Sequence, residues 1–218
     1  MPGTYQDMLD EAFPATADPN VIRAVAEGIM LADKTLDNEG FLKSLIGQDL
    51  RGHLRRAGIL FRLHEAAKVG DIPFASTMSK MPRGNWHWIE LRSQNFTSHV
   101  CRTDGPDLFP TDTPTRQDDR LSNQGSLFED NSTVVPIKGY MAWLTFGAGD
   151  SGALGHLCWG MPNADGDDWL ARSNIILRAR ANEIVIKPET PSKPLDLKFK
   201  DHIEEALKDK SPGEQGAE

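Results

Sequence analysis

Histidines, carboxylates and thiols set the first question, because their spacing decides whether the chain can do acid–base, metal or nucleophilic chemistry. His87, Glu90, Arg92 and His99 share one short stretch. A histidine beside a carboxylate suits general acid–base work, and a small nuclease would use such groups. Alternation along an extended segment sends His87 to the face opposite Glu90, however, and no recognised spacing links them. Buried or rim histidines making hydrogen bonds account for the same residues. Asp165, Asp167 and Asp168 invite a calcium reading, but no glutamate closes a twelve-residue loop. They read instead as a turn followed by a helix N-terminus, where acidic residues are favoured. Cys101 and Cys158 lie in apolar segments without metal spacing and are expected as two buried, reduced thiols. The sequence carries no phosphate-binding loop, Ser-His-Asp arrangement or zinc pattern. We expect a protein that is not an enzyme and that needs no cofactor or metal.

Binding chemistry is more visible. Residues 121–130 read Leu-Ser-Asn-Gln-Gly-Ser-Leu-Phe-Glu-Asp. Leu127 and Phe128 are adjacent, apolar and flanked on both sides by polar residues. Burying each in a cleft is worth roughly 1.5–3 kcal/mol relative to leaving it in water. Gln124 precedes the pair by three positions, and its amide offers donors and an acceptor to a polar notch. Gly125 and Ser126 are small enough for close backbone approach. A nearby Leu108-Phe109 lacks the glutamine, with Gly105 at that offset, and reads as an anchor holding the segment to the protein.

The Gln-x-x-Leu-Phe pattern resembles the peptide by which bacterial polymerases and repair proteins hold the β sliding clamp of DNA replication. That pentapeptide prefers leucine at its second position and serine or aspartate at its third. Ser126 fits the third position and Gly125 departs from the second, which removes one apolar contact. The resemblance implies that Gln124 occupies the polar subsite of the clamp and that Leu127 and Phe128 fill the apolar one. The chain is also similar to replication-inhibiting toxins of the SocB type, on its size, the residue 124–128 peptide and the Trp86-His87-Trp88 segment. Such toxins compete with polymerase for the clamp. Their SocA-type antitoxin is an adaptor that delivers them to the ClpXP protease. The resemblance therefore implies the β clamp, a SocA-like adaptor and ClpXP as partners.

These groups must be positioned by a scaffold, and the pattern predicts α+β. Residues 1–17 end in Pro-Ala-Thr-Ala and read as an arm. Asp18-Pro19 reads as an N-cap with proline at the first helical position. Val21, Val25 and Ile29 then recur at helical spacing. Phe41, Leu42, Leu45 and Ile46 suggest a short second helix ended by Gly47. Leu50, Leu54, Ala57, Phe61 and Leu63 suggest a third. Residues 1–70 thus form a helical unit. Residues 71–187 should form an antiparallel sheet, with strands over 86–92, 96–102, 140–146 and 155–161 joined by turns. Asn174 to Leu177 reads as an edge strand or as part of a helix starting near Asp168, and Ile184 to Ile186 as a further edge strand. The polar segment 103–135, with Pro106, Pro110 and Pro114, is expected to be a long structureless binding loop. Residues 188–218 are a charged tail, with one short helix over 199–207 and a disordered end.

Composition sets the remaining bounds. The 218 residues are 39% hydrophobic and 26% charged, enough to bury a core without staples. No apolar run nears the ~20 residues of a membrane span, and the N-terminus lacks a secretory signal, so a cytosolic protein is expected. The net charge of -8 argues against wholesale binding to nucleic acid while leaving room for a local basic patch. Arg51, His53, Arg55, Arg56 and Arg62 share one predicted helix. They raise a helix-turn-helix regulator as an alternative, against a solvated face in an otherwise acidic chain.

Overall fold

The computed structural model describes residues 4–81, 85–124, 139–149 and 153–181. All of them fall within one unit, residues 1–184; the second, residues 185–218, lies outside the description. The expected edge strand at Ile184 to Ile186 and the expected tail helix therefore lie outside the described residues.

The N-terminal segment is a core element, where an arm was expected. Thr4 and Asp7 form a reciprocal capping box that starts α1 (Tyr5–Ala12). The helix delivers Leu9, Ala12 and Phe13 to full burial. Phe13 stacks on Trp159 at 4.0 Å and meets Phe74 and Phe96 edge-on. After a 3-10 turn at Ala15–Ala17 comes α2 (Asp18–Asn38). Asp18 is not its N-cap: Ala17 occupies that position, and the Asp18 carboxylate binds the Arg178 guanidinium through two hydrogen bonds of 2.7 and 2.8 Å. A buried carboxylate is held best by a charged fork, and that tertiary partner outcompeted the local cap.

The short second helix resolves into a 3-10 turn at Gly40–Lys43 and α3 (Leu45–Asp49). Gly47 lies inside α3 rather than ending it, packed so tightly on Leu42 that a Cβ would meet its backbone at 2.3 Å. Next, α4 (Arg51–Lys68) runs against α2. Their closest approach is Gly28 against Gly58, where a Cβ on Gly58 would sit 2.3 Å from the Gly28 carbonyl oxygen. Arg55 makes a bidentate bridge to Asp33, and Arg62 pairs with Glu27, so two of the arginines on α4 are neutralised by α2.

Six strands follow in sequential order: β1 (Ala75–Lys80), β2 (His87–Ser93), β3 (Phe96–Arg102), β4 (Tyr140–Ala148), β5 (Leu154–Pro162) and β6 (Trp169–Asn174). The sheet is mostly antiparallel. The exception is β3 with β4, which run parallel from Phe96 opposite Tyr140 to Arg102 opposite Phe146. A parallel neighbour needs a crossover connection. The segment expected to be structureless supplies it, through α5 (Pro114–Leu121). α6 (Ile175–Ala181) closes the described chain. No helix among the described residues is long and apolar enough to cross a membrane.

Strand alternation sorts side chains to two faces. Ile89 and Leu91, Phe96 and Val100, Leu144 and Phe146, and Leu157, Trp159 and Met161 point into one core with Leu9, Phe13, Val21, Val25, Ile59 and Leu63. That core is continuous across the helical segment and the sheet. The opposite face carries Trp88, His99, Cys101, Trp143, Thr145, His156, Cys158 and Arg172. It is met by α5 and the segment that precedes it: Phe109 stacks on Trp169 at 4.3 Å and meets Trp143 edge-on. Phe109 is thus the expected anchor, while Leu108 stays exposed.

Candidate functional site

The site is built from α5 outward, because α5 leads directly into the Gln124 peptide. Thr113 caps the helix by accepting from the Arg116 backbone N–H, and Pro114 takes the first helical position. The helix is too polar to be held by apolar packing. What holds it is Asp119, buried against the sheet. One carboxylate oxygen of Asp119 accepts from His99 Nδ1 at 2.8 Å and from Trp143 Nε1 at 3.3 Å. Trp88 covers the imidazole, with ring centroids 3.8 Å apart.

The chain leaves α5 through Ser122 and Asn123. Asn123 is buried, and both of its amide hydrogens are used: Nδ2 donates to the Met141 and Pro162 carbonyls, both at 2.9 Å, and Oδ1 accepts from Met141 N–H at 2.8 Å. Pro162 has no N–H to offer its neighbour strand, and Asn123 supplies the donor and acceptor that complete this end of β4. Gln124 follows at once and is exposed. Of the predicted clamp-binding residues, Gln124 is therefore placed. Ser126, Leu127 and Phe128 lie outside the described residues.

The alternative residues are separated. His87 is exposed at the start of β2, and His99 is buried beneath Trp88, at 5% exposure. Glu90 faces Arg92 on its own strand, 2.6 Å away, and not a histidine. His99 does gain a carboxylate, but it is Asp119. Nδ1–H on that carboxylate leaves Nε2 as the basic nitrogen, and Nε2 has no partner among the described residues. No described hydroxyl or thiol hydrogen-bonds to it. Asp165, Asp167 and Asp168 form the expected turn, with Asn163 Oδ1 accepting from three successive backbone N–H groups. That turn leads into β6; the expected helix starts later, at Ile175.

Both cysteines are buried and free, as expected. Burial pushes the Cys101 thiol up, against the pull of Arg116 and Arg56. Burial pushes Cys158 up as well, although Arg172 Nη2 lies 3.4 Å from its sulfur. Thr103 Oγ1 sits 2.8 Å from His156 Nε2, and burial followed by the Arg172 charge holds His156 below the usual imidazole range.

The carboxylate, amide and indole that organise the site, Asp119, Asn123 and Trp143, were not singled out by the sequence reading. The Thr113-Pro114 start signal was the available clue to α5. The fold and site define an α+β protein whose crossover helix is pinned by polar contacts and leads to the exposed Gln124. No protein-family model, curated protein or solved structure matches the chain.

Proposed function

We propose that this chain is a toxin that inhibits DNA replication by holding the β sliding clamp through residues 124–128. The observation that carries the reading is the exposure of Gln124 immediately beyond the Asn123 clasp. A recognition peptide gains from a fixed root, because less of the chain must be ordered when it binds. The root here is as firm as three hydrogen bonds to two strands can make it.

The mechanism is competition and involves no bond making. Gln124 takes the polar subsite, Leu127 and Phe128 fill the apolar one, and Ser126 contributes a lesser contact. Polymerase and other clients that use the same cleft are excluded. Micromolar binding corresponds to about 8 kcal/mol. Two buried side chains at roughly 1.5–3 kcal/mol each, plus backbone and glutamine hydrogen bonds, reach that scale. Gly125 leaves one apolar contact unused. A SocA-like adaptor and ClpXP complete the proposal as the cell's means of removing the toxin, in the cytoplasm.

Titration of the full chain against purified β clamp tests the reading. Binding in the micromolar range is expected, with at least a tenfold loss in the Leu127→Ala/Phe128→Ala variant and a gain in Gly125→Leu. Absence of binding, or binding indifferent to the double substitution, would overturn it.

A further inference from the structure

At the C-terminal end of β3 the structure gathers positive charge that the fold does not consume. Arg102, Thr103, Asp104, Phe109, Thr111 and Arg116 line an open cavity of about 420 Å³. Arg102 also leans on the first turn of α4, where its guanidinium lies 3.7 Å from the position a Cβ on Gly52 would take. On that turn, His53 stacks against Trp86 with ring planes 12° apart. Trp86 itself is 59% exposed. One turn further, burial depresses the Arg56 guanidinium, with the Cys101 side chain opposing and the charge of Arg116 adding to the effect. Trp86, His53, Arg102, Arg116 and Arg56 thus form one continuous surface drawn from four segments of the chain.

The neighbouring arginines give the contrast. Arg55 and Arg62 are tied to Asp33 and Glu27. Among the described residues, no carboxylate forms an ion pair with Arg56 or Arg116. Arg116 donates instead to the Thr111 carbonyl and bonds the buried Cys101 thiol, neither of which neutralises its charge. Arg102 has Asp104 at 3.6 Å, but both side chains are well exposed, and such a pair holds weakly. Asp112 feels the Arg116 charge but is engaged by Gln117 and Arg120, and Asp119 is engaged by His99 and Trp143.

Guanidinium groups recognise phosphate through paired donors, and an exposed aromatic ring accepts a base on its open face. We propose that this surface binds single-stranded nucleic acid, with Arg102, Arg116 and Arg56 on the phosphates and Trp86 under one base. A duplex fits less well, because α4 lies along α2 with Arg55 and Arg62 spent and offers no free helix to a groove, whereas Trp86 can meet only an unstacked base. The net charge of -8 opposes a long footprint and makes the contact short and salt-sensitive. With about three phosphates engaged, the logarithm of the affinity should fall with the logarithm of salt at a slope of roughly -2. The site is independent of the residue 124–128 peptide.

The test is fluorescence anisotropy of a labelled oligothymidylate about 15 nucleotides long, titrated with the full chain at low salt, with tryptophan quenching read in parallel. Saturable binding with quenching is expected, together with about tenfold weaker binding in Trp86→Ala and in Arg102→Glu. Both variants change exposed side chains, and unaltered circular dichroism and melting would confirm their folds. The Leu127→Ala/Phe128→Ala variant should bind the oligonucleotide as the parent does. No binding at low salt up to about 100 μM, the weak end of typical non-specific contacts, would overturn the proposal. Affinity equal to the parent's in both surface variants would do the same. Thymidine monophosphate binding as tightly as the strand would replace the strand by a mononucleotide pocket and so overturn it too.

Discussion

The two faces of the sheet are held by different physics. The helix-covered face is hydrocarbon and aromatic ring: Leu91, Leu144, Leu157 and Trp159 against Phe13, Ile59 and Leu63. The α5-covered face buries pairs of polar groups: His99 with Asp119, Thr103 with His156, Arg172 with Cys158, and Asn123 with two backbone carbonyls and an N–H. Apolar burial is non-directional, so the first face should respond to lost volume. Buried polar networks are directional, so the second should respond to whether a group loses its partner.

The largest expected effect breaks the apolar face. Trp159→Ala empties the stack with Phe13 and should cost about 3–5 kcal/mol in urea unfolding. Loss below about 1 kcal/mol would show that the helices do not depend on that ring. Next, Asp119→Ala strips two donors of their acceptor and should cost about 2–4 kcal/mol. The comparison sharpens in a double-mutant cycle with His99→Phe, where the two losses should be clearly less than additive. Full additivity would deny the pair. Asn123→Ala should cost about 1–3 kcal/mol and loosen the root of the peptide, read as faster amide exchange at Met141.

The smallest effect concerns pH. His156 is held below its ordinary value of 6.5, chiefly by burial. A depressed imidazole contributes stability that is present above 6.5 and is lost as pH falls through the folded-state value. Stability measured downward from neutral pH should therefore decline more steeply in the parent than in His156→Gln. Parallel profiles would remove His156 from the account.

How much of this was legible in the chain follows the same division. Apolar periodicity marked α2 and α4 through Val21, Val25, Ile29 and Leu63, and alternation marked β2 through β5. β1 was missed because Ala75 to Lys80 is a polar edge strand, largely exposed on both sides. α5 was missed because its buried residue is an aspartate, which leaves no apolar stripe to detect. With α5 unseen, the parallel pairing of β3 and β4 was hidden too. Of the candidate site, only a local linear pattern, Gln124, Ser126, Leu127 and Phe128, could be proposed from sequence, and of these the structure describes Gln124 alone. The His99–Asp119 contact could not, since it joins residues of different elements and exists only once the crossover has folded. Asp18 shows the converse case: a good local cap signal lost to Arg178, far along the chain.

Asn123 and Met141 bond to each other, so the polypeptide departs and returns through one narrow gate. The chain between them is a loop closed at its base by those bonds. Doubling the length of such a strand raises its closure cost by only about 0.6 kcal/mol. The segment should therefore tolerate grafts of foreign recognition sequences, leaving the host architecture unaware of the cargo it displays.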